Sequence, residues 1–109
     1  MAFDAGLVDR VRETLADEPG LTEKRLFGSY GFLLDGNMCA GVQGERLITR
    51  APMDQYDLLL TNPNVSKFPS ANRSMRGWIT VDPSEIAEDD DLARLVGMGV
   101  AVARSLPPK

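Results

Sequence analysis

The chain contains no histidine, which removes the commonest general base and the commonest metal ligand together. Its single cysteine, Cys39, excludes an internal disulfide and suits a reducing compartment, so a cytoplasmic setting is expected. No apolar run approaches the roughly 18 residues that a membrane span requires. A secretory leader is not expected either, because the opening MAFDAGLVDR places acidic residues where a basic stretch should stand. There is no paired-carboxylate motif, no Ser-His-Asp set and no Cys-x-x-Cys, so catalysis has no candidate group. Neither an enzyme, a cofactor nor a metal is expected. Aromatic residues fill only 6% of positions, yet 43% are hydrophobic, too many for a disordered chain. A length of 109 residues can bury one core but hardly two, so residues 1–109 read as a single domain.

The net charge of -4 is unevenly spread. Residues 1–23 carry two basic and six acidic side chains, and residues 82–109 carry three and six. Residues 24–81 hold seven basic ones (Lys24, Arg25, Arg46, Arg50, Lys67, Arg73, Arg76) against four acidic. An acidic whole disfavours strong non-specific binding to nucleic acid, which relies on neutralising many phosphates. The basic middle keeps a local anionic contact open. Its plainer reading is a solvated sheet edge, where Lys and Arg discourage edge-to-edge pairing.

Apolar spacing predicts the first helix: Phe3, Leu7, Val11 and Leu15 recur every four residues, Val8 widens the stripe, and Asp4 can cap the start. Glu18-Pro19-Gly20 should stop it. Strand signals follow at Leu26-Phe27 and Phe32-Leu33-Leu34, flanking Gly28-Ser29-Tyr30-Gly31, whose glycines allow a bend or bulge. Asp35-Gly36 favours a type I′ hairpin. The return strand runs from Asn37 to Val42, and a turn at Gln43-Gly44-Glu45 leads into Arg46–Arg50. Pro52 fits the first turn of a second helix with Met53, Tyr56, Leu59 and Leu60 as its buried face. Asn64 to Ser74 reads as a loop with a short extended piece near Val65 to Phe68. Arg76 to Val81 is the last clear strand. Asp82-Pro83-Ser84-Glu85 carries helix-start signals, including a capping box. Asp89-Asp90-Asp91 then opens a final helix with its buried face at Leu92, Leu95, Val96, Gly99, Ala103 and Leu106. Gly97 and Gly99 weaken that helix by roughly 1 kcal/mol each, which implies close approach to the sheet or a partner. The expected fold class is α+β: an antiparallel meander plus one or two later strands, flanked by helices, in the order α-β(3–4)-α-β(1–2)-α.

Each reactive-looking feature has a plainer reading. The three adjacent aspartates would diverge on a helix and have no second ligand cluster, so they read as helix-terminal charges. Cys39 lies mid-strand without an activating group and reads as a half-buried structural thiol. Arg25, Tyr30, Arg76 and Trp78 mix cations with aromatics as a single-strand binder would. The plainer reading, and the preferred one, is that Trp78 and one hairpin face line the core.

A family resemblance rests on particular residues. Arg25-Leu26-Phe27-Gly28-Ser29-Tyr30-Gly31-Phe32, followed by Leu34-Asp35-Gly36-Asn37-Met38, closely resembles the start of the TfoX N-terminal domain, or TfoX/Sxy family. Met75-Arg76-Gly77-Trp78, Val81-Asp82-Pro83 and the closing Ala103-Arg104-Ser105-Leu106-Pro107-Pro108-Lys109 resemble its later motifs. Leu26 to Ser29 stand where that family prefers Met-Phe-Gly-Gly, and Cys39 where it often has Phe. The resemblance implies helices around an antiparallel sheet, similar to type III secretion chaperones, in a bacterial cytoplasmic protein. It also implies kinship with competence regulators that act with a cyclic-AMP-responsive transcription factor. Those regulators carry a second, C-terminal domain, so the chain is expected to be the N-terminal half standing alone. Phe27, Gly28, Gly31, Asp35, Gly36, Gly77, Trp78, Asp82 and Pro83 are read as structural motif positions.

The expected function is thus a non-enzymatic protein-interaction module in transcriptional, competence-type regulation. Its expected contact surface lies near Arg25, Tyr30, Arg50, Arg73 and Arg76. Homodimerisation through a helix or sheet edge fits a domain this small. The alternatives are direct nucleic-acid binding by the basic middle and a small-ligand pocket beside Trp78.

Overall fold

Asp4 starts the first helix by accepting hydrogen bonds at its carboxylate from the backbone N–H groups of Gly6 (2.8 Å) and Leu7 (3.2 Å). The computed structural model describes residues 3–26, 28–68 and 76–109. Helix α1 spans Ala5–Thr14 and buries Leu7, Val8 and Val11. Phe3 is not on that stripe. It lies before the helix, in a parallel bridge with Gly44, and its ring packs on Tyr30 at 5.3 Å. The helix also ends before Pro19, at Leu15, whose N–H bonds back to the last carbonyls.

Strands β1 (Leu21–Leu26), β2 (Ser29–Leu34), β3 (Asn37–Gln43) and β4 (Arg46–Arg50) form the expected meander. The Asp35-Gly36 turn has positive φ at both central residues, +50° and +86°, as type I′ requires. Helix α2 (Met53–Leu59) follows, then β5 (Val65–Lys67) and β6 (Trp78–Val81). The result is one antiparallel six-stranded sheet in the order β1-β2-β3-β4-β6-β5. β1 and β5 are its edges, and Lys24, Arg25 and Lys67 lie on them, where charge discourages pairing with another chain. A short 3-10 helix, Pro83–Ile86, precedes α3 (Asp89–Arg104).

Strand alternation divides the side chains between two faces. Phe32, Leu34, Ala40, Val42, Leu47, Ile79 and Val81 join the core under α1 and α3. Register places Ile48, Arg50, Trp78 and Thr80 on the opposite face. α3 crosses β3 and β4 closely because Gly99 has no Cβ: one built there would collide with the Cys39 carbonyl oxygen and lie 2.7 Å from Thr49 Oγ1. The buried Thr49 hydroxyl donates to the Leu95 carbonyl at 2.8 Å, which satisfies a polar group that burial would otherwise penalise.

Several local expectations are corrected. Asp82 and Glu85 form no capping box; Asp82 pairs with Arg46 at 3.0 Å, and Glu85 accepts from Asn64 Nδ2 at 2.9 Å. Tertiary partners outcompete the local bonds there. Gly97 makes no close approach, with nothing within 4 Å of a built Cβ. Met53 is 56% exposed and Leu106 36%, so neither completes its helix's buried face. Strand β6 begins at Trp78, with Arg76-Gly77 in the preceding turn; a φ of +97° makes glycine apt there.

Candidate binding groove

The residues expected to share one contact surface fall in two places. Arg25 and Tyr30 pair across β1 and β2, on the face beneath α1. There the Arg25 guanidinium lies 5.6 Å from the Phe3 ring centre, and Tyr30 packs on both Phe3 and Phe32. The Tyr30 hydroxyl donates to Glu23 Oε1 at 2.8 Å. Arg12 of α1 also donates to that carboxylate, through Nη2 at 2.7 Å and through Nε at 3.0 and 3.1 Å. Arg12 first, then Tyr30, holds the Glu23 carboxyl below its ordinary range. This corner fastens helix to sheet, and Arg12, Glu23 and the Tyr30 hydroxyl are already partnered there.

Arg50 and Arg76 lie elsewhere. Leu47 is level with Tyr30 through Val42, and Arg50 lies three residues further along β4, roughly 10 Å on. Phe27 and Arg73, from the same prediction and motif, fall outside the described residues. So do Met75 and the greater part of the predicted loop after Phe68.

Around Arg50 the fold builds a groove whose apolar wall the sequence alone did not suggest. The end of β4, the start of α2 and the turn before β6 meet the last turn of α3 around about 510 Å³ of open space. Its wall is largely apolar: Ala51, Pro52, Met53, Val102 and Leu106. Arg50 and Arg76 supply its charge. A second hollow of about 360 Å³, lined by Asn37, Pro107, Pro108 and Lys109, neighbours the first and shares Arg50 and Leu106 with it. Among the described residues no aspartate or glutamate lines either hollow, in a chain with sixteen of them.

Both arginines lie against aromatic rings, and among the described residues only Arg76 has a carboxylate nearby. The Arg50 guanidinium sits 4.8 Å from the Trp78 ring centre and makes a loose 3.4 Å contact to the Met38 carbonyl. Burial pushes its pKa down from the ordinary arginine value, as it must for a cation without a counter-ion. Arg76 stacks at 5.2 Å on Tyr56 and reaches Asp57 only at 4.0 Å, with both partners largely exposed. Trp78 therefore positions a groove residue and lies outside the wall itself.

The remaining candidates are occupied or inert. Cys39 is fully buried, deeper than the half-buried thiol expected, and desolvation raises its pKa to about 11. Asp89 pairs with Arg10 at 3.1 Å and Asp91 with Arg94 at 3.7 Å. Among the described residues no group of three His, Cys, Asp or Glu side chains converges as a metal site would.

Compared with known families, the chain matches the TfoX N-terminal domain over residues 13–103. That stretch includes both arginines of the groove and most of its apolar wall, while Ser105 to Lys109 lie beyond it. No curated protein matches the chain.

Proposed function

This chain belongs to the TfoX N-terminal domain family, and from that premise we propose that it is a non-enzymatic interaction domain in transcriptional regulation of the competence type. It acts in the cytoplasm by holding a partner protein. The observation that carries this reading is the groove, where exposed Met53 and Leu106 adjoin two arginines without close counter-ions. Exposed apolar side chains rimmed by polar ones are a mark of protein contact. Binding is preferred to catalysis because the chain lacks histidine and its one thiol is buried with a raised pKa. Direct nucleic-acid binding has less support: Arg46 is paired with Asp82, and among the described residues Lys24, Arg25 and Lys67 lie on the two sheet edges, apart from Arg50 and Arg76. Such a layout neutralises few phosphates at once.

The test is a deletion of the gene in its native host, followed by transcript profiling and complementation with the wild-type chain. A defined set of transcripts should shift and recover on complementation. An unchanged profile under conditions in which the protein is made refutes the regulatory reading.

A further inference from the structure

The groove has features that specify its occupant more closely than "a protein". It comprises two neighbouring hollows of about 510 and 360 Å³ that share Arg50 and Leu106 in their walls. Arg76 borders the first hollow, Arg50 lies at the junction and Lys109 borders the second. Between these cations the wall is aliphatic, and it includes Met53 and Leu106, two of the most exposed large apolar side chains.

We propose that this groove binds an extended acidic peptide segment of a partner protein, with an apolar side chain seated between Met53 and Leu106 and carboxylates meeting Arg76 and Arg50. The inference rests on the interaction reading above and names the chemistry of its partner. Charge complementarity carries it: among the described residues three cations and no aspartate or glutamate side chain line these walls, in a chain that is net acidic. A guanidinium already partly desolvated gains more from a carboxylate than a hydrated one does, because little further water must be removed. The stacked rings hold both guanidinium groups in place before binding, which lowers the entropy lost on docking. A nucleic acid is the poorer fit. Its phosphates would find few cations here, and its backbone gains nothing from an aliphatic wall. A compact small molecule would leave the second hollow unused.

The test uses the full chain and a display library of random peptides about nine residues long, a span suited to extended recognition. Selection is run against the wild type, Arg76→Glu and Ala101→Glu. Ala101 is exposed on α3 in the groove wall, so its replacement leaves the core untouched and keeps the test valid if Arg76→Glu perturbs the Tyr56 contact. Thermal melts confirm folding of each variant. Selected peptides should combine Asp or Glu with Leu, Met or Phe. Their affinity by fluorescence anisotropy should fall at least tenfold in either variant and weaken with added salt. Peptides without acidic residues, or equal affinity in the variants, overturn the proposal. So does tighter binding of a labelled single-stranded oligonucleotide through the same residues, or self-association of the chain abolished by Ala101→Glu. If peptide selection fails while deletion still shifts transcripts, only this inference falls. If peptides bind but transcripts do not respond, the regulatory reading falls instead.

Discussion

Gly99 and Gly97 sit two positions apart on α3, and the same substitution should act on them with opposite sign. Alanine favours a helix interior over glycine by about 1 kcal/mol. At Gly97 nothing lies within 4 Å of the added methyl, so the gain is retained. At Gly99 the methyl would strike the Cys39 carbonyl and crowd Thr49 Oγ1 at 2.7 Å. Forcing a group into a packed interior costs about 1–3 kcal/mol. Displacing Thr49 also strains its buried 2.8 Å bond to Leu95, worth about 1 kcal/mol. Net of the helix gain, Gly99→Ala should destabilise by about 1–3 kcal/mol and Gly97→Ala should stabilise by up to about 1 kcal/mol. In a domain of this size each kcal/mol moves Tm by about 4–8 °C. Urea unfolding of both variants, with thermal melts alongside, measures the contrast. A Gly99→Ala protein as stable as the wild type would show that α3 does not lie against β3 as described, and would refute the packing argument.

Other consequences can be checked separately. Replacing Asp4 with alanine removes the acceptor for two N–H groups at the start of α1 and should lower stability by about 1 kcal/mol in urea. The Glu23 carboxyl titrates below its ordinary value of 4.5 when folded, so the stability it contributes is present above that pH. This contribution is lost as acidification passes through the folded pKa. The stability difference between wild type and Glu23→Gln should therefore be full at neutral pH and shrink below about pH 4.5, as denaturation series at several pH values would reveal. Cys39, buried with its pKa raised to about 11, should resist a thiol-reactive dye at mildly alkaline pH until urea unfolds the chain. Rapid labelling of the native protein would contradict its burial.

Features governed by near neighbours in the chain were legible from the residues alone. Asp4 caps α1 within three residues, Asp35-Gly36 closes its hairpin through its own backbone angles, and the three aspartates opening α3 respond to that helix's own dipole. The family motifs likewise lie at turns and short strands, so they were readable as strings. Less could be read where distant segments compete for the same group. Asp82 and Glu85 carry a capping-box pattern, yet Arg46 and Asn64 reach them first across the sheet. β1 was barely visible: Leu21 to Leu26 has few apolar residues, because an edge strand buries little.

The groove belongs wholly to tertiary structure. Met53 and Leu106 each continue an apolar helical stripe, and periodicity alone assigns them to the core; the outcome depends on where α2 and the end of α3 stop relative to the sheet. The same holds for the arginines. Sequence supplied a basic middle segment, and the register then sent Arg25 to one corner and Arg50 to another. Thus the amino-acid sequence determined the antiparallel meander and its helices, through periods and turns that act within a few residues. The packing of α3 over β3, which Gly99 permits, and the stopping points of β4 and α2 decided which charges face open space, because those segments meet only in the folded chain.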